Sequence, residues 1–195
     1  MYNDILAHDP NNADALHLLG TLLLQIEQPE KAADFLGQAV ELDPVHPAFH
    51  CNLATALLDM GAMDDAITHY GAALALDPNY IDARYNLGNA RRQKGDFAAA
   101  AAEYSRVAEL EPRHLQARNN YAICLLEIDQ LKLAVETLEA ILRQAPDDLQ
   151  TRQNLGIALQ IAGRPDEAVS QFDIILIGDP INVAALNGRA AALIT

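Results

Sequence analysis

Four asparagines, Asn52, Asn86, Asn120 and Asn154, stand 34 residues apart, each directly before a bulky residue: Leu53, Leu87, Tyr121 and Leu155. A carboxamide presents one acceptor and two donor hydrogens in a single plane. It can therefore meet both the C=O and the N–H of an extended peptide backbone, and a row of such amides reads a main chain without demanding a side-chain sequence. Other side chains able to do chemistry are sparse. His46, His50 and Cys51 lie close together, but no HExxH or CxxC spacing accompanies them, so no metal is expected. There is no G-x-S-x-G, no phosphate loop and no nucleophile beside an evident base. The stretch GNARRQKGD lacks a Gly-Lys-Ser/Thr ending. The chain is read as a non-enzyme that needs no cofactor.

Composition narrows the partner. The chain has 195 residues, 51% of them hydrophobic, and no Trp. Abundant Ala and Leu suit helices better than strands. A net charge of −14 repels nucleic-acid phosphates and anionic lipid, so neither nucleic acid nor membrane is an expected partner. Two cysteines, Cys51 and Cys124, make no disulfide framework and point to a reducing compartment. No apolar run reaches bilayer length, and the opening MYNDILAHDP is too polar for a signal peptide. The expectation is a cytoplasmic protein.

The asparagine interval recurs in the prolines at 10, 44, 78, 112, 146 and 180, all but one of which follow Asp or Glu. Self-similarity at this period signals a solenoid. The period divides the chain into 13–46, 47–80, 81–114, 115–148 and 149–182, flanked by residues 1–12 and 183–195. Each unit shows a helical period, then a breaker (Gln28-Pro29, Gly61, Gly95, Asp129 and Gly163-Arg164-Pro165), then a second helical run closed by the proline. That pattern predicts one helix–turn–helix hairpin per unit.

These residues resemble the tetratricopeptide repeat (TPR) family. Position 8 of the units reads Gly20, Ala54, Gly88, Ala122, Gly156; position 20 reads Ala32, Ala66, Ala100, Ala134, Ala168; position 24 reads Leu36, Tyr70, Tyr104, Leu138, Phe172. Small residues at 8 and 20 allow close helix approach, and the large residue at 24 fills the space between neighbours. The chain departs from the family at position 4, often Trp, which here holds Leu16, His50, Arg84, Arg118 and Arg152. The resemblance implies an all-α fold, a right-handed α-α superhelix whose first helices line a concave surface. Residues 1–12 resemble the tail of a second helix, and 183–195 a first helix lacking its partner. Neither end carries the polar cap a solenoid needs, so the chain reads as a segment of a longer protein or as one whose ends stack on another copy.

On a helical wheel, positions 3, 7, 10 and 14 of the first helix form the core face, with 4 and 11 beside them. In the second repeat these are Phe49, Leu53, Ala56 and Met60, with His50 and Leu57. Positions 2, 5, 6, 9, 12 and 13 fall opposite. The asparagines at position 6 then face the groove, joined by Asn89 and by Asn119 at position 5. This arrangement resembles the asparagine ladder of the O-linked N-acetylglucosamine transferases, whose repeat region holds acceptor proteins. A second reading stays open, in which the amides bond a neighbouring helix and set the spacing between repeats. At about 0.5–1.5 kcal/mol net per hydrogen bond, a ladder alone gives weak, permissive binding.

Selectivity would come from the rest of that face. Ile123, Leu126, Ile157 and Ile161 form an expected apolar patch. Asp14, Asp59, Asp82 and Glu127 oppose Arg92, a net of −3. The expected partner is an extended protein or peptide segment with apolar and basic side chains. The Lys and Arg needed to clamp a C-terminal carboxylate are missing at positions 2 and 5. Three functions follow as expectations: an interaction scaffold, the substrate-recruiting repeat region of a larger transferase, and a self-assembling spacer joined through its terminal helices.

Overall fold

The computed structural model describes residues 2–194, apart from the side chain of residue 3. Among them are twelve α-helices and no strand: α1 (Tyr2–His8), α2 (Ala13–Gln25), α3 (Pro29–Leu42), α4 (Pro47–Asp59), α5 (Met63–Leu76), α6 (Ile81–Gln93), α7 (Phe97–Leu110), α8 (Leu115–Glu127), α9 (Leu131–Gln144), α10 (Leu149–Ile161), α11 (Pro165–Gly178) and α12 (Val183–Ala192). From α2 onward, first helices alternate with second helices, and each kind begins every 34 residues. This is an α-α solenoid.

The helix boundaries have local causes that share the period. Ahead of four first helices a side chain caps an orphan N–H. Asn12 accepts from the Ala15 N–H at 3.0 Å, His114 Nδ1 from Ala117 at 3.1 Å, Asp148 from Thr151 at 2.6 Å and Asn182 from Ala185 at 3.0 Å. Each link from a first helix to the second helix after it passes through one left-handed residue: Glu27, Gly61, Gly95, Asp129 and Gly163, with φ of 56°, 81°, 85°, 60° and 71°. The sequence pattern places the first breaker at Gln28-Pro29. The turn is made one residue earlier, at Glu27, and Pro29 starts α3, where its missing N–H is harmless.

Small residues permit close approach where large ones fill. A Cβ on Gly20 would lie 2.6 Å from Leu36 Cγ, and one on Gly156 would lie 2.6 Å from Phe172 Cζ. A Cβ on Gly188 of α12 would lie 2.5 Å from the same Phe172 ring. Position 4 explains its own departure from Trp. Arg84 Nη2 donates to the carbonyl of Pro78 at 2.6 Å, Arg118 Nη1 to Pro112 at 3.3 Å and Arg152 Nη2 to Pro146. His50 Nε2 does the same to Pro44, at 3.0 Å. Each ties the start of a first helix to the proline that ended the previous second helix.

The helices group into two compact units, residues 1–96 with α1–α6 and residues 97–195 with α7–α12. In unit 1, Tyr70 is fully buried among Ala54, Ala66 and Ala73, and Leu36 with Ala32, Leu53 and Ala56. In unit 2 the centre is Leu138, Ile141, Leu159 and Phe172. Met60, expected in the core at position 14, is 45% exposed, because that position is already the C-cap of α4 and has left the packed turns. No helix among the described residues is long and apolar enough to cross a membrane.

Candidate functional site

Within each unit the first helices touch one another as well as their second helices: α2 with α4 and α4 with α6, then α8 with α10 and α10 with α12. This side-by-side contact takes up part of the face that the wheel leaves open. Cys51 and Asn119, both at position 5, are consequently buried rather than on an open face.

In unit 1, Asn52 is half-buried and spends both amide hydrogens on α2. Its Nδ2 donates to His17 Nε2 at 2.7 Å and to Thr21 Oγ1 at 3.0 Å. The Thr21 hydroxyl hydrogen goes to the carbonyl of His17 at 2.8 Å. The His17 ring lies on Phe49 with centroids 4.6 Å apart, and His46 stacks on the same ring at 4.1 Å. Burial first and the neighbouring His46 second lower the His17 pKa, against a smaller opposing pull from Asp14.

Asn86, the next amide, is half-buried on α6 and has no hydrogen-bond partner among the described residues. The places held beside Asn52 by His17 and Thr21 are taken there by Cys51 and Thr55. Thr55 is engaged with the Cys51 carbonyl at 3.1 Å and the Tyr70 hydroxyl at 3.0 Å. Burial pushes the Cys51 thiol up to about 11 despite a hydrogen bond from Tyr80, so it is a neutral, weakly accepting group. Asn89 is half-buried, while Asp59, Asp82 and Arg92 are exposed.

A second histidine pair closes the far side of α4. His50 Nε2 must carry a hydrogen to reach the Pro44 carbonyl, so in the neutral ring its Nδ1 is bare. It then accepts from His69 Nδ1, 3.0 Å away. Burial lowers the His69 pKa, and His50 lowers it further, with Asp65 opposing.

In unit 2 the amides close on each other. Asn119 Nδ2 donates to Thr151 Oγ1 at 2.7 Å and to the Leu115 carbonyl at 3.2 Å. Asn154 Nδ2 donates to Asn119 Oδ1 at 3.2 Å, and Asn154 Oδ1 accepts from Gln150 at 3.1 Å. Asn119 and Asn154 are each only 7% exposed. Asn120 and Ile123 are half-buried, and Leu126 packs on the unit 2 core. Ile157 and Ile161 are exposed, at 39% and 55%, and Glu127 is exposed. Among the described residues no three His, Cys, Asp or Glu side chains gather so as to hold a metal ion.

His17 and Thr21 were not singled out as site residues from the sequence. Their signal was there: they lie one turn apart, at the positions of repeat one that face position 6 of repeat two.

Helix pairs repeating every 34 residues define a repeat scaffold for protein partners. The chain belongs to the tetratricopeptide repeat proteins. Models of this family described as tetratricopeptide repeat match residues 1–56 and 85–148, and one described as TPR repeat matches 55–91. Solved structures agree on the fold. YrrB, described as a TPR protein with an unusual peptide-binding site, is 20% identical, with a TM-score of 0.86 over 97% of both chains. A TPR protein from Parabacteroides merdae is 19% identical, with a TM-score of 0.85 over 92% of this chain and 72% of that one. A MamA structure is 25% identical, with a TM-score of 0.69 over 75% of this chain and 82% of that one. No curated protein sequence matches the chain. The TPR fold is a protein–protein interaction scaffold and is typically non-catalytic.

Proposed function

We propose that the chain binds an extended peptide segment of a partner protein along the first helices of unit 1. The carrying observation is in unit 1. The Asn86 amide is unpartnered among the described residues, and Asn52 keeps its Oδ1 uncommitted, beside exposed Asp59 and Asp82. Backbone amide contacts there give permissive affinity, and the carboxylates favour basic side chains on the guest. In unit 2 the exposed Ile157 and Ile161 offer an apolar contact, while Asn154 braces its own hairpins. YrrB, which shares the fold, has a peptide-binding site by its description.

The test is a peptide array probed with the full chain and with an Asn52→Ala/Asn86→Ala variant. The variant is expected to lose array binding while still unfolding in one cooperative transition. Unchanged binding would defeat the reading. A second reading, self-association, is favoured by the exposed apolar residues Leu18, Leu22 and Ile26 of unit 1 and Ile177 and Ile181 of unit 2. Sedimentation across a wide concentration range tests it, and a strict monomer at the highest concentration rules it out.

A further inference from the structure

The amide of Asn52 is held one way round. Both of its hydrogens are used by α2, through His17 Nε2 at 2.7 Å and Thr21 Oγ1 at 3.0 Å. With the neutral ring's hydrogen on Nδ1 and the Thr21 hydroxyl hydrogen on the His17 carbonyl, the opposite orientation would bring Oδ1 against a bare nitrogen and a bare hydroxyl oxygen. Lone pairs would face lone pairs. What remains for a guest is the Oδ1 oxygen alone.

We propose that His17 and Thr21 make Asn52 an acceptor-only contact, so that this point of unit 1 selects a partner presenting a donor, a backbone N–H or a basic side chain. The inference rests on the peptide-binding reading above and specifies the polarity of its contact. The lock is particular to this amide. Cys51 and Thr55 occupy the matching places before Asn86, and Thr55 is already engaged with Tyr70.

Polarity then depends on the protonation of His17. The charges acting on His17 come from its own helix, through Asp14, and from the residue heading α4, His46. Burial favours the neutral ring, whose Nε2 accepts from Asn52 when the hydrogen sits on Nδ1. A proton added at Nε2 would confront the Asn52 hydrogens. The amide would then turn, Oδ1 would accept from the imidazolium, and the NH2 group would face outward. The contact becomes a donor in acid.

The full chain is tested in two arms. In the first, the side-chain Nδ2 hydrogens of Asn52 are followed by NMR in wild type, His17→Phe and Thr21→Val. The Phe variant keeps a ring on Phe49, and the Val variant keeps the shape of Thr21. In wild type these hydrogens should exchange slowly, couple to His17 Nε2 and shift with the His17 titration, and both variants should lose this. Hydrogens that exchange freely and ignore that titration overturn the assignment. In the second arm, a six-residue alternating Lys-Leu peptide is compared with copies N-methylated at each backbone position in turn. Methylation at one position should weaken wild-type binding about tenfold, the scale of one lost hydrogen bond, and should matter less in the two variants. Tight binding indifferent to methylation at every position overturns the selectivity. Absence of any peptide binding with the NMR signature intact overturns the peptide-binding reading, and with it the selectivity, but not the amide orientation.

Discussion

Asn52 in unit 1 and Asn154 in unit 2 occupy the same place in their repeats and have opposite fates. Asn52 gives its hydrogens to the preceding first helix and keeps its oxygen. Asn154 gives its hydrogen to Asn119 and its oxygen to Gln150, and it is buried. The difference lies one repeat upstream. His17 at position 5 only accepts from its neighbour, whereas Asn119 both accepts and donates and so draws Thr151 and Asn154 into a closed cluster. Position in a repeat therefore does not fix the role of an amide; its position 5 neighbour does. A buried amide cluster stabilises only while every member is satisfied.

The largest test strikes the platform under Asn154. Phe172 fills the space left by Gly156 and Gly188, so Phe172→Ala should cost about 3–5 kcal/mol in equilibrium denaturation. Amide exchange along α10 should rise with it.

Asn154→Ala leaves Asn119 Oδ1 and the Gln150 amide short of a partner and should cost about 1–3 kcal/mol. Asn52→Ala leaves a half-buried, partly hydrated site, and its stability loss in the same urea titration should fall below that of Asn154→Ala. Equal losses would erase the contrast drawn here.

A smaller effect separates the units by pH. Both His17 and His69 have folded pKa values below the ordinary 6.5, so the unfolded chain takes up protons first. Their contribution to stability is whole above that value and is lost as pH falls through the lowered folded values. A His17→Phe/His69→Phe variant should therefore lose less stability than wild type on acidification. The urea midpoint, measured against pH for both proteins, reads this difference.

The smallest effect compares the turns. Glu27 in unit 1 and Asp129 in unit 2 are non-glycine residues at positive φ, so Glu27→Gly and Asp129→Gly should each gain up to about 1 kcal/mol. Gly163→Ala should lose a similar amount. Thermal melts of the three variants measure it.

Much of the architecture was legible in the chain because one spacing controls caps, turns and packing together. The proline column, the Ala column and the small–large pair at positions 8 and 24 all announce hairpins. The first turn was misplaced by one residue because Glu27 is a poor advertisement for a left-handed backbone, whereas Gly61 and Gly95 are strong ones. The amides were less legible. A wheel treats a helix as having one buried side, but α4 and α10 are flanked by first helices as well as by their second helices. That second flank buries Cys51, Asn119 and Asn154 and uses the hydrogens of Asn52. Such contacts depend on the residues 31 to 35 positions away, Thr21 and His17 for Asn52, which no single-helix projection includes.

The proline joints carry a further consequence for how the chain is made. Arg84, Arg118, Arg152 and His50 each bond a carbonyl six residues earlier. So short a closure needs no distant segment and little loop entropy. Each elbow can set once the first turn of the following helix has emerged from the ribosome, before the rest of that hairpin exists to lean on it. Three of the four elbows use a guanidinium, and the elbow at Pro44 uses an imidazole.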